Sequence, residues 1–219
     1  MTFFDELKTV NAQSWERYCD HEFTRGLADG TLPLAAFQKY LVQDFLFLID
    51  FARAYALSIY KSHSLEEMRK GLEGVKAILD VEINLHLRLC ERWGLTEKDI
   101  ENAPHELATL SYTQYVLETG NRGDLLDLKI ALAPCVIGYG EIAANLAKVP
   151  GALDNSNPYA EWIKEYSSPE YQEHMHGAIA ELEGLAQRYL TDNRRERAHK
   201  IFKTATDLEA NFWQMGLEG

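Results

Sequence analysis

Leu34-Ala-Ala-Phe-Gln-Lys-Tyr-Leu-Val-Gln-Asp44-Phe-Leu-Phe-Leu-Ile-Asp-Phe-Ala-Arg-Ala-Tyr55 is the stretch from which the fold is read. Phe37, Leu41, Leu48, Phe51 and Tyr55 recur at steps of three and four, so they share one helix face. Asp44 falls in the same line, inside an apolar seam. Helical period continues on both sides, and no alternating strand pattern appears. It predicts helices over about 3–20, 34–62, 65–93, 104–119, 124–148, 158–166, 169–190 and 194–215. Turn signals between them are short: Asp29-Gly30-Thr31 with Pro33, Asn155 to Pro158, Ser168-Pro169 and Asp192-Asn193. Ser64 and Glu67 have capping-box spacing, and Pro169 stands just inside a helix start. The expected fold class is all-α, a helix bundle.

The rest of the chain agrees with one such unit. Its 219 residues, 46% hydrophobic, contain no repeat, low-complexity tract or linker, so residues 1–219 are expected to form one domain. A net charge of −12 opposes binding to phosphate backbones or anionic lipid, so neither nucleic acid nor membrane is an expected partner. The basic cluster Arg194, Arg195, Arg197 and Lys200 is interrupted by Glu196 and reads as a solvated helix start. Cys19, Cys90 and Cys135 have no paired spacing, which argues for reduced thiols. The N-terminus lacks signal-peptide character, and no apolar run approaches the roughly 18 residues of a membrane span. The expected location is the cytoplasm.

Two more seams carry reactive groups. Leu125, Leu128, Leu132, Cys135, Tyr139, Ile142 and Leu146 share a face, as do Ile201, Ala205, Leu208, Glu209, Phe212 and Gly216. Three helices thus each aim one polar group, Asp44, Cys135 or Glu209, at the core. Each has a local structural explanation: Asp44 accepting from a tyrosine, Glu209 holding a helix N-terminus, Cys135 as a small filler. Their coincidence points to a site, because buried carboxylates are costly and their pKa values rise. Pro134 inside the helix of the Cys135 seam would remove the bond to the Ile130 carbonyl, kink the helix and open room beside Cys135; alternatively it marks a helix boundary.

Several segments resemble the TenA family, the thiaminase II or aminopyrimidine aminohydrolase proteins. They are Leu27 to Pro33, Leu41-Val-Gln-Asp44, Ser111-Tyr112-Thr113, Ala133-Pro-Cys-Val-Ile-Gly-Tyr-Gly-Glu141, Pro158 to Tyr166, and Glu209-Ala-Asn-Phe-Trp213, in order over nearly the whole chain. The resemblance implies a heme-oxygenase-like bundle, a homotetramer, and a role in thiamine salvage. It implies hydrolysis of 4-amino-5-aminomethyl-2-methylpyrimidine to the hydroxymethyl pyrimidine, with thiamine cleavage beside it, and no cofactor. Carried over, Cys135 is the nucleophile and Glu209 the proton donor to the ring. Asp44 binds the exocyclic amine and orients the thiol. Tyr139 and Tyr166 are pocket hydrogen-bonders, and Tyr112, Phe47 and Phe212 wall the ring. Many relatives have tyrosines just after the aspartate, where Phe45 and Phe47 stand here, so stacking survives and a hydroxyl is lost.

These residue types suit that chemistry. A ring nitrogen must be protonated before a thiol adds to the ring, and a carboxyl of raised pKa does this at neutral pH. Cysteine is both a strong nucleophile and a good leaving group. With a carboxylate nearby, the resting thiol is expected to be neutral.

Two rival readings use other residues. Glu82 and His86 lie in the inward series Leu79, Glu82, His86, Leu89, Trp93, where they are expected to satisfy each other. Glu-x-x-His spacing, the ligand pattern of di-iron bundles, occurs as Glu173–His176 and Glu196–His199, on outward or flanking faces. That would make a metal-dependent oxidase. A non-catalytic pyrimidine-binding or regulatory protein is the other alternative. His21, His63 and His105 show no chemistry by spacing, and Cys19 and Cys90 read as packing.

Overall fold

The structure is a computed structural model that describes residues 2–92 and 94–218. Within them the chain forms thirteen α-helices and no strand. Short α1 (Phe3–Val10), α2 (Ala12–Cys19) and α3 (Glu22–Asp29) lead into the long α4 (Leu34–Lys61). A second long rod consists of α5 (Leu65–Lys76), a π-helical segment at Ala77–Glu82, and α6 (Ile83–Glu91). Then come α7 (Glu97–Glu101), α8 (Leu107–Arg122), and α9 (Leu125–Ala133), which passes through a π turn at Pro134–Gly138 into α10 (Tyr139–Leu146). The chain closes with α11 (Ala160–Tyr166), α12 (Pro169–Tyr189) and α13 (Asp192–Leu217).

Helices α4, α8, α9 and α13 pack on one another as the centre of the bundle. All nine residues of α9 are buried, so this helix runs through the core rather than along its edge. The seam residues Phe37, Leu41, Asp44, Leu48, Phe51 and Tyr55 are all buried, as expected, and so is the whole series from Leu125 to Leu146. No single helix among the described residues is long and apolar enough to cross a membrane. One bent pair, Ala12–Asp29 with Leu34–Lys61, passes by length and composition, and most of its large apolar residues, though not Leu34 or Tyr60, belong to the core.

Several expectations need correction. The first helix is broken at Asn11. Residues Glu22–Asp29, expected as a connection, form α3, which ends on Gly30 in the left-handed region at φ 71°. The short α7 was not expected either; Thr96 caps it by accepting from the Asp99 amide. The expected helix 65–93 widens into π geometry at Ala77–Glu82, and this shifts its inward face. Ile78 is buried in place of Leu79, which is 47% exposed. Trp93, the last member of that series, lies outside the described residues.

The basic cluster of α13 is also more than a solvated start. Arg194 donates to both carboxylate oxygens of Asp124, at 2.7 and 2.8 Å, and to Asp127. Asp124 also caps α9 by accepting from the Asp127 amide. Arg197 pairs with Asp127, and Arg195 and His199 with Glu6. These pairs tie the starts of α9 and α1 to the start of α13.

Pro134 neither ends the helix nor kinks it apart; the backbone widens by one π turn. The carbonyl of Pro134 accepts from the Tyr18 hydroxyl at 3.1 Å, and that of Val136 from Tyr171. Tyr18 lies so close that a Cβ on Gly138 would sit 2.3 Å from its ring. The buried ring is held by the same hydroxyl bond and stacks on Trp213, so it cannot swing aside cheaply. Gly138→Ala is therefore expected to lower stability by roughly 1–3 kcal/mol, the usual cost of overpacking. Urea denaturation of both proteins measures it, and an unchanged midpoint would contradict the close approach.

Candidate active site

Asp44 sits mid-way along α4, 3% exposed, and two groups meet its Oδ2. Tyr40, one helical turn earlier, donates its hydroxyl at 2.8 Å. His86 of α6 places Nε2 at 2.6 Å, while its Nδ1 lies 2.8 Å from the main-chain carbonyl of Glu82. A carbonyl oxygen can only accept, so Nδ1 carries a proton. Nε2 faces a carboxylate and carries one as well, which makes the ring an imidazolium. Burial opposes that charge, but the Asp44 carboxylate and both hydrogen bonds outweigh it and raise the His86 pKa. The expected Glu82–His86 pair is therefore replaced: His86 binds the backbone of Glu82 and the side chain of Asp44.

Tyr40 extends the network. Having given its proton to Asp44, its oxygen accepts from the Trp162 indole at 3.1 Å. The Tyr139 hydroxyl stands 3.4 Å away, at the limit of a hydrogen bond. Tyr166 packs its ring on Tyr139 and Trp162.

Glu209 of α13 is 1% exposed and accepts one hydrogen bond, from Tyr112 of α8 at 2.8 Å. Burial pushes its pKa up to about 8; the Tyr112 bond lowers it, and the Asp44 charge adds to the rise. Glu209 is thus a neutral acid at pH 7, while Asp44 is locked to a cation. The aromatic residues around it form a block. Phe47 stacks on Tyr112 with centroids 4.8 Å apart and touches Phe212 at 5.8 Å. Phe47 and Tyr112 are too close for a third ring between them, so they present a composite face.

Cys135 occupies the π turn and is 9% exposed. Its thiol pKa is raised by burial first, then by the charges of Glu209, Glu82 and Asp44. The widened turn faces a cleft of about 190 Å³ whose lining includes Cys135, Val136, Tyr166, Tyr171, Phe51 and Glu82. Asp44, Tyr139, Tyr112, Phe47, Phe212 and Glu209 do not line it; they are packed in the interior. Asp44, Cys135 and Glu209 nevertheless act on one another through their charges.

Sequence reasoning missed His86 as the partner of Asp44, because 42 residues separate them. The expected tyrosine donor to Asp44 is present and is Tyr40, which the four-residue step could have named. Among the described residues no three His, Cys, Asp or Glu side chains gather as a metal-ligand set. Glu173, His176 and Glu196 are exposed, and His199 is held by Glu6. Burial raises the thiols of Cys19 and Cys90, which suits packing.

Fold and interior together define a class: helical bundles that keep a thiol and two differently charged carboxylates in a dry core. The chain belongs to the TENA/THI-4/PQQC family, whose sequence profile matches residues 11–219. An uncharacterized protein of Haemophilus influenzae is 41% identical over 93% of this chain and 94% of its own length. An aminopyrimidine aminohydrolase of Halalkalibacterium halodurans is 37% identical over 98% and 95%. Among solved structures, one described as a TenA family transcription regulator from Silicibacter superposes with a TM-score of 0.92 at 39% identity, covering 99% of this chain and 96% of that one. A Shewanella denitrificans domain with a heme oxygenase-like fold, at TM-score 0.76 and 13% identity over 100% and 93%, shares the fold.

Two outcomes test this electrostatic arrangement. Alkylation of Cys135 by iodoacetamide is expected to keep accelerating past pH 9, the ordinary thiol value; a plateau reached near about pH 6 would mean a stabilised thiolate instead. Glu209 binds its proton more tightly folded than unfolded. The stability this adds is complete below about pH 4.5 and is lost as pH rises through about 8. Relative to Glu209→Gln, the wild type should lose on the order of a few kcal/mol across that window. A stability difference independent of pH would place Glu209 in an ordinary carboxylate environment.

Proposed function

We propose that this protein is an aminopyrimidine aminohydrolase: it converts 4-amino-5-aminomethyl-2-methylpyrimidine and water to the hydroxymethyl pyrimidine and ammonia. It cleaves thiamine at the same methylene and serves thiamine salvage. The observation that carries the reading is Cys135, a buried thiol at the wall of a cleft and within electrostatic reach of Asp44, Glu82 and Glu209. Support also comes from the relative named for this activity.

The neutral Glu209 carboxyl donates to the ring nitrogen and makes the pyrimidine electrophilic. Cys135 Sγ then forms a bond to a ring carbon as its proton passes to water in the cleft, since the resting thiol is not ionised; the proton is taken back when the C–S bond later breaks. The electron pair pushed into the ring breaks the bond from the methylene to nitrogen, and ammonia leaves. Water adds to the exposed methylene carbon, its proton passes to solvent, and the C–S bond breaks to restore the aromatic ring. Asp44, held by His86 and Tyr40, binds the exocyclic amine, which fixes the ring's orientation. On this reading the ring passes from the cleft into the packed interior, where Tyr139 and Tyr166 bond its edge and the Phe47–Tyr112–Phe212 block supplies its stacking face. On the same reading the chain assembles as a homotetramer in the cytoplasm. The exposed Leu65, Met68 and Leu72 along α5 offer it an apolar contact face.

Ammonia release from the aminopyrimidine is the direct assay, run on wild type and Cys135→Ser. The variant should lose at least about a hundredfold in rate, the scale on which nucleophile removal acts. Unchanged release would remove Cys135 from the mechanism, and a wild-type rate equal to background would remove the reaction itself.

A further inference from the structure

Three carboxylates line the cleft outside Cys135, and no lysine or arginine does. Glu82 stands deepest, half-buried, from the π segment; Glu165 of α11 is half-buried beside it; Glu170 at the start of α12 is exposed at the rim. None of the three forms an ion pair among the described residues. His174, also in the lining, has its pKa lowered by desolvation first and then by the charge of Lys129. Lys129 itself lies over the Tyr55 ring at 4.7 Å and is claimed by Glu181 at 3.0 Å.

Burying Glu82 without a cation is unfavourable. Desolvation comes first, and the charges of Asp44 and Glu165 add to it, so its pKa is pushed up to about 7. The nearby cation, His86, lowers the Glu82 pKa only in part, because both its ring nitrogens are taken, by Asp44 and by the Glu82 main-chain carbonyl. Glu170 has a structural reason to exist, because a carboxylate in a helix's first turn is favoured by the helix dipole. Glu82 and Glu165 have no such partner. Independently, Cys135 is nine-tenths buried, opens on this same space and has no hydrogen-bond partner among the described residues, which marks the cleft as a ligand site.

We infer that Glu82 and Glu165 are specificity determinants that admit the reacting side arm of the pyrimidine as a cation and exclude neutral and anionic counterparts. The inference rests on the reading given under Proposed function and names the substrate class for it. An aminomethyl group is an ammonium at neutral pH, and thiamine carries its positive charge on the leaving group at the same methylene. Both place a cation where the two carboxylates lack one. Chemistry gains from this as well: an ammonium departs as neutral ammonia, taking the bonding electron pair and keeping its three protons. A formylated amine is uncharged and a phosphate ester is anionic, so neither compensates Glu82. The hydroxymethyl product is neutral too and is released once the cation has gone.

The test uses Cys135→Ser protein, which holds ligand without turnover, titrated calorimetrically at pH 7. Ligands are the aminomethyl pyrimidine, the hydroxymethyl pyrimidine and the phosphate ester of the latter. The amine should bind about tenfold or more tightly than the alcohol, and the ester more weakly than either. Adding Glu82→Gln or Glu165→Gln should shrink the amine-to-alcohol ratio severalfold and leave the alcohol's Kd unchanged. Circular dichroism checks folding; if Glu82→Gln does not fold, Glu165→Gln carries the test alone. Equal affinity for amine and alcohol, or a ratio that neither variant moves, overturns the inference. That failure would leave wild-type ammonia release intact, whereas an enzyme that releases no ammonia would sink the underlying reading instead.

Discussion

The interior of this bundle depends on how one charge is balanced. A carboxylate in a dry core costs several kcal/mol unless it is paired and hydrogen-bonded. Asp44 meets both conditions at a single oxygen, through His86 at 2.6 Å and Tyr40 at 2.8 Å. Because His86 is anchored on the Glu82 carbonyl, the pair also fixes α6 against α4. The π segment before α6 brings Glu82 and His86 into this position, so a departure from regular helix geometry and the placement of a buried charge are one feature.

With the hydrogen bonds of His86 committed to Asp44 and to the Glu82 main chain, the carboxyls of Glu82 and Glu209 have no ion-pair partner among the described residues. Glu209 has a single tyrosine donor, and Glu82 has none. Both hold their protons to higher pH than an exposed glutamate does, Glu209 to about 8 and Glu82 to about 7. One interior thus contains a carboxylate paired with His86 and a proton donor within electrostatic reach of the same thiol. Such a division of states is what acid–base chemistry at neutral pH needs. It comes from the unequal supply of donors, since the residue types are equivalent.

The second π turn plays the matching role for sulfur. Pro134 has no amide hydrogen, and the backbone absorbs the loss by widening, with Tyr18 and Tyr171 donating to the carbonyls of Pro134 and Val136. Cys135 therefore sits on the irregular part of a helix that is otherwise buried on every side.

Helical period was enough to determine the all-α class, most helix positions, and the fact that Asp44, Cys135 and Glu209 face inward. Inward direction is a local property: a residue's angle around its own helix follows from spacing alone. Where the helix period changes, that reading slips, as it did at Leu79 and Ile78. The short α3 and α7 escaped because two turns of helix carry too few apolar repeats to register. Only the tertiary structure decided who pairs with whom. His86 chose Asp44 across 42 residues rather than Glu82 four away, Arg194 joined Asp124, and Glu82 with Glu165 came to share a cleft. The physical reason is that charge pairing depends on distance in space and on desolvation, and both are set by how the helices pack.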